Sequence, residues 1–285
     1  MGSRACFGFE KNTGRILMIK DFFAFFKDIW QNRRLLLRFA KNDFKARYAG
    51  SFFGVFWAFF TPFVTILVYW FVFEKGFKAG MTDGSVPFIL YLVTGIIVWF
   101  FFSDTLVTGT NCYRDYNYLV KKVVFNIHIL PTAKLISNLY THFFFIGIAI
   151  ILTTLYGFFP SLYLLQIVYY LFCLIVMLTG IVWITSSIQP FFTDITPLIN
   201  VGLQVMMWGS PVLWSINNFP PQYHLLFKLN PLFYIIQGYR DAFFGTGWFW
   251  QHWHLGLYFW GCTLVFLIIG SITYSKMRPH FSDVL

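Results

Sequence analysis

Charge is what this chain most lacks. Only 11% of its 285 residues are Asp, Glu, Lys or Arg, against about 25% in an ordinary soluble domain. Acids are the scarcer half, 11 against 21 bases. So few charges cannot cover a water-exposed globular surface, which excludes that class for most of the chain. Hydrolysis of nucleotide through a P-loop is excluded as well, because no G-x-x-x-x-G-K-[ST] occurs; H-E-x-x-H and G-x-S-x-G are also missing. The four cysteines (Cys6, Cys112, Cys173, Cys262) have neither metal nor redox spacing, and three sit in or beside apolar runs, so they read as packing thiols. His252 and His254 flank Trp253 and would leave a helix on opposite sides, which argues against a shared metal. No internal repeat or low-complexity segment is present. The first 50 residues are polar and basic and do not form a signal-peptide pattern. Residues 1–17 precede a second methionine and stay an unassigned N-terminal extension.

What is there is apolar and aromatic: 58% hydrophobic residues, 23% aromatics and 39 Phe. A helix needs about 20 apolar residues to cross a bilayer. Six runs qualify, at residues 52–73, 87–108, 132–156, 162–188, 196–214 and 253–274, all within one domain from 51 to 285. The fifth is the weakest, broken by Gly202, Gly209 and Pro211. If both termini are cytoplasmic, 17 of the 21 Lys and Arg fall inside, leaving Lys75, Lys78, Lys228 and Arg240 outside. That bias predicts a multi-pass cell-membrane protein with both ends inside. It also explains most of the formal +10 charge without invoking nucleic acid or an acidic substrate.

Residues 18–50 are too charged to span. Phe22, Phe25, Phe26, Ile29 and Trp30, then Leu36, Phe39, Ala40 and Phe44, fall near helical spacing, with Arg33, Arg34, Arg38, Lys41 and Lys45 among them. The pattern predicts an amphipathic helix in the cytoplasmic interface, apolar side down, serving either as an anionic-lipid anchor or as a docking surface. A second segment, "RDYNYLVKKVVFNIHILPTAK", carries Tyr116, Leu119, Val120, Val123, Val124 and Ile127. It suits a short cytoplasmic helix offered to a partner's groove, or equally a hairpin packed on its own bundle.

"NPLFYIIQGYRDAFF", at residues 230–244, is half apolar and half charged. Leu232, Ile235, Ile236, Tyr239 and Phe243 form one helical stripe, with Gln237, Arg240 and Asp241 off it. Asn230 as cap, Pro231 at the first position and Gly245 beyond the end bound a short helix at the outer interface, dipping in and returning. Within the spans, Asp104 is the one carboxylate. With Thr108 and Asn111 it makes a polar stripe, either a functional intramembrane acid or a hydrogen-bonded anchor of helix packing.

"RYAGSFFGVFWAFFTP" (residues 47–62) resembles the R-Y-x-G-S-x-x-G-x-x-W-x-x-x-x-P approach to the first span of ABC-2-type polysaccharide export permeases. "LVYWFVF" (67–73), "SPVLW" (210–214), the 230–244 stretch and the terminal "RPHFSDVL" look more narrowly like the wall teichoic acid permeases of that family. One departure is visible: Phe125-Asn126 stands where the family usually has F-P.

The resemblance implies an all-α integral membrane fold of six spans, with an interfacial N-terminal helix at 21–48 and extracellular re-entrant helices at 221–244. It implies a homodimer working with two ATP-binding cassette subunits, which hold the ATP and Mg; this chain itself takes no cofactor and is no enzyme. The cargo would be a lipid-linked anionic polymer, exported across the cytoplasmic membrane. The coupling helix of the family maps onto residues 115–127. Tyr239, Arg240 and Asp241 would stand at the extracellular gate, apolar side to the membrane and polar side to the exit. Arg240 could contact phosphates there, or pair structurally with helix-end carbonyls. Phe52, Phe56, Phe59, Phe60 and Phe63, with Asp104, would line the channel, the aromatics as stacking platforms for sugar faces; packing or lipid-facing Phe is the plainer alternative. Two rivals remain: a permease for O-antigen or capsule-type polymer, and an integral-membrane transferase on lipid-linked sugars, for which the chain offers no paired carboxylates.

Overall fold

The computed structural model describes residues 31–78, 81–82, 86–120, 127 and 129–284, and these are helical almost throughout. Helix α1 (Arg33–Ala46) has no Gly or Pro and places Leu36, Ala40, Asp43 and Phe44 on one buried stripe. That stripe packs on Ile129 and Ala133, the start of α6 (Ile129–Leu155), while Arg33, Arg34, Arg38, Lys41 and Lys45 stay exposed. The expected helix is therefore present over 33–46; Leu36, Ala40 and Phe44 of its apolar stripe are covered by protein, while Leu35 and Leu37 stay exposed. The earlier part of that stretch, with Phe22 to Trp30, lies outside the described residues.

A 3-10 turn (Gly54–Phe56), α2 (Trp57–Trp70) and a π-helical turn (Phe71–Gly76) run on as one 23-residue rod. A two-residue hairpin, β1 (Met81–Thr82) paired antiparallel with β2 (Val86–Pro87), leads into α3 (Phe88–Thr110). Helix α3 is apolar all round and buried on nearly every side, as such a helix must be. Its buried hydroxyls turn back on their own helix: Thr94 Oγ1 donates to Leu90 O at 2.9 Å and Thr110 Oγ1 to Leu106 O at 2.7 Å. Two single turns follow, α4 (Cys112–Asp115) and α5 (Asn117–Val120), then α6. Cys112 and Cys173 are fully buried thiols.

A 3-10 turn (Leu162–Leu165) opens α7 (Gln166–Ile188). Then come α8 (Ile195–Gly209), α9 (Pro221–Lys228), α10 (Pro231–Phe244), α11 (Trp253–Met277) and the short α12 (Phe281–Val284). Among the described residues, five helices are long and apolar enough to cross a membrane: Gly54–Gly76, Phe88–Thr110, Ile129–Leu155, Leu162–Ile188 and Phe249–His280. The run expected at 196–214 is shorter in the structure. Helix α8 has 15 residues, about 22 Å of rise against a hydrocarbon core of about 30 Å. Ser210 is extended because Pro211 follows it, and the helix stops there.

The main core joins α3, α6, α7, α10 and α11. A second cluster of Cys112, Tyr113, Ile127, Leu130, Tyr274 and Phe281 gathers α4, α6 and the C-terminal turns beside α1. This is the basic end of the bundle; the hairpin and residues 245–252 lie at the other.

Candidate functional site

Helix α10 begins as its sequence dictates. Asn230 Oδ1 accepts from Leu232 N at 3.0 Å, Pro231 takes the first position, and Gly245 closes the helix at φ 68°. Its setting differs from an interfacial helix. The stripe from Leu232 to Phe243 is buried, and so are the off-stripe Arg240 (2% exposed) and Asp241 (4%). The reason is a protein cradle on every side, since α10 lies among α3, α7 and α11. Only Pro231, Gln237 and Phe244 of this helix keep partial exposure.

The two adjacent charges serve different neighbours. Arg240 lays its guanidinium 3.5 Å from the centre of the Tyr91 ring and donates from Nη2 to Val212 O at 3.1 Å. A Cβ at Gly95 would fall 2.8 Å from that Nη2, so α3 admits the guanidinium because residue 95 has no side chain. Asp241 turns away. Its Oδ1 accepts from Thr246 Oγ1 at 2.6 Å and Gln237 Nε2 at 3.2 Å, and Oδ2 is 3.5 Å from His252 Nε2. Tyr239 points deeper, its hydroxyl 2.9 Å from His142 Nε2, while His142 Nδ1 is 3.2 Å from Ile97 O. A carbonyl only accepts, so Nδ1 carries the proton and Nε2 accepts from Tyr239.

At the basic end an ionic network joins three elements. Lys134 Nζ sits 2.8 Å from Asp43 Oδ1 and 3.0 Å from Asp115 Oδ2. Tyr116 donates to Asp43 Oδ1 at 2.6 Å, and Arg47 is 3.6 Å from Asp43 Oδ2. Burial alone would push the Asp43 carboxyl up; the Lys134 charge and hydrogen bonds from Lys134 and Tyr116 outweigh it and hold the group below the ordinary carboxylate range. Burial, followed by the bond to Asp43, pushes the Tyr116 phenol up. Arg47 Nη1 then donates to Asn138 Oδ1 at 2.8 Å, and Asn138 Nδ2 to Thr105 and Thr108 Oγ1 at 3.2 and 3.0 Å.

Of the expected coupling residues, Tyr116 and Leu119 are half-buried and Ile127 buried, all against the chain's own cluster. Tyr118, at 55% exposure, is the apolar side chain that faces outward there. Val120 is placed as backbone in α5, and Val123 and Val124 lie outside the described residues.

The Phe stripe divides. Phe52, Phe56, Phe60 and Phe63 are exposed, with Phe56 and Phe60 stacked at 5.0 Å, whereas Phe59 turns onto Phe144 (4.4 Å) and Phe44 (6.3 Å). Asp104 lies on the open side of α3, beside Pro62 of α2 in a narrow cleft that also meets Asn138 and His142. Thr108 and Asn111 of the same stripe bind neighbours, Asn138 of α6 and Thr196 of α8. Asp43, Asp115, Lys134 and His142 were not singled out from sequence. A lone Lys and a lone His inside the third apolar run were the available signal, since ionisable residues at that depth are rarely idle. Among the described residues no three His, Cys, Asp or Glu side chains converge as a metal site requires.

The sequence profile described as ABC-2 type transporter matches residues 34–244. An O-antigen export system permease protein RfbA from Klebsiella pneumoniae is 23% identical over 252 residues, covering 88% of this chain and 95% of that protein. A protein of the same name from Myxococcus xanthus is 24% identical over 220 residues, 76% of this chain and 83% of its own length. With its profile match spanning α1 to the end of α10, the chain belongs to the ABC-2 type transporter family.

Proposed function

We propose that this chain is the membrane permease of an exporter for a lipid-linked polysaccharide of the O-antigen class, energised by a separate ATP-binding cassette subunit. The observation that carries the reading is the likeness, over nearly the whole length, to permeases named for O-antigen export. A chain without a P-loop needs an outside source of energy. On this reading the basic end is cytoplasmic by its Lys and Arg excess, α8 completes a sixth, shortened crossing, and two copies assemble. The bare Phe face of α2 and the exposed Asp104 support a covered or water-filled path beside them, because a carboxylate facing lipid is costly. Arg240, stacked on Tyr91 at the mouth of α10, holds the far end in shape and does not touch cargo.

Wall teichoic acid is the second reading. The "SPVLW", "NPLFYIIQGYRDAFF" and "RPHFSDVL" motifs favour it, while the relatives carry the O-antigen name. Depleting the permease separates the two. A neutral or acidic sugar polymer held on the cytoplasmic leaflet supports the first, a polyol-phosphate polymer supports the second, and no trapped polymer contradicts both.

A further inference from the structure

Lys134 is the first candidate for a device the family assignment leaves open. Its side chain is 8% exposed, and a buried ammonium persists only when paired. The two carboxylates that pair it come from different parts of the basic end: Asp43 on α1, 3% exposed, and Asp115 at the close of α4, 46% exposed. Tyr116 ties the 112–120 segment to the same Asp43 oxygen. From Asp43 the bonds continue through Arg47 to Asn138 and on to Thr105 and Thr108 of α3, one turn from Asp104. This chain of side-chain bonds joins the 112–120 segment to both α1 and the polar stripe of α3.

We infer that Lys134 is a positioning residue for energy coupling. It clasps the 112–120 segment through Asp115 and passes that segment's displacement to α1 and α3 through Asp43. The inference rests on the reading of the chain as an ATPase-driven permease. The two arms of the clasp differ in kind. The Asp43 arm is sequestered and reinforced by Tyr116, so it keeps Lys134 compensated in any state. The Asp115 arm is half in water, where an ion pair is weakly held and readily exchanged for hydration. An arm that opens and closes while the inner pair stays formed gives two discrete arrangements, which physical coupling requires.

The test uses the permease with its ATPase in sealed vesicles, reading polymer transported per ATP hydrolysed. Asp115→Asn keeps the inner pair and should melt with the wild type and copurify the ATPase at the wild-type ratio. Transport per ATP should fall about fivefold or more, the scale of a typical coupling free energy, and Asp115→Glu should restore it. Hydrogen exchange in α1 should respond to a non-hydrolysable nucleotide in the wild type and not in Asp115→Asn. A wild-type complex that transports, with an Asp115→Asn ratio and α1 response unchanged, overturns the inference and leaves the transport reading standing. Loss of ATPase copurification in Asp115→Asn makes the residue a docking contact and overturns it too. A wild-type permease that binds no ATPase brings down the reading and the inference together.

Discussion

The Tyr239 hydroxyl and His142 Nε2 meet at 2.9 Å, joining α10 to the middle of α6. The bond adds a polar anchor to the packing of α10 in the bundle, because His142 is held from its other nitrogen by Ile97 O at 3.2 Å. Tyr239→Phe leaves the ring in place and Nε2 buried without its donor. The expected cost is about 1–3 kcal/mol, read as a lowered melting temperature of the detergent-extracted protein. An unchanged melting temperature would mean that water replaces the hydroxyl and that α10 is loosely seated.

Arg240 and Gly95 should behave as one site. Arg240→Lys keeps the charge but loses the planar stack on Tyr91, and Gly95→Ala puts a methyl 2.8 Å from Nη2. Each should destabilise by roughly 1–3 kcal/mol, and the double variant by less than their sum. Strict additivity in thermal melts would show that the guanidinium does not need the gap at residue 95.

The Asp43 carboxyl gives a pH signature. Its folded value is depressed, so it contributes stability that is fully present above the ordinary carboxylate pKa of about 3.9 and is lost as pH falls through the lower folded value. Asp43→Asn should therefore melt well below the wild type at neutral pH, and the gap should close below about pH 4. A gap that persists unchanged into acid would locate the effect in packing and not in charge.

The exposed and packed members of the Phe stripe make opposite predictions. Phe56→Ala and Phe60→Ala remove open side chains and should shift stability by about 0.5 kcal/mol or less, while export falls several-fold if that face touches cargo. Phe59→Ala strips contacts to Phe44 and Phe144 and should cost about 1–3 kcal/mol. Full export by both Phe56→Ala and Phe60→Ala would leave the face to lipid or to a second copy.

Much of the architecture is legible in local chemistry. The apolar runs become the helices from Phe88 to Thr110, Ile129 to Leu155 and Gln166 to Ile188, and the Asn230-Pro231 start and Gly245 stop of α10 are backbone rules written in adjacent residues. The run at 196–214 reads too long because Val212, Leu213 and Trp214 stay apolar after Pro211 has already ended the helix. Burial of α10 is not legible, since an amphipathic stripe says which side is apolar and not whether the polar side is also covered. Nor are the partners of Lys134 and His142: Asp43 lies 91 residues before the one, and Tyr239 97 residues after the other. No periodicity marks a contact made only when the bundle closes.

On the proposed reading, export is driven by a partner's ATP hydrolysis. The most direct test of that reading places the purified permease and its ATPase in vesicles with lipid-linked polysaccharide on the ATP-accessible leaflet, and measures polymer reaching the opposite leaflet with a lectin that cannot cross. Transfer should require ATP, the ATPase and this chain together. Transfer that proceeds without ATP, or none at all from a complex that binds its ATPase and hydrolyses ATP, would contradict the reading.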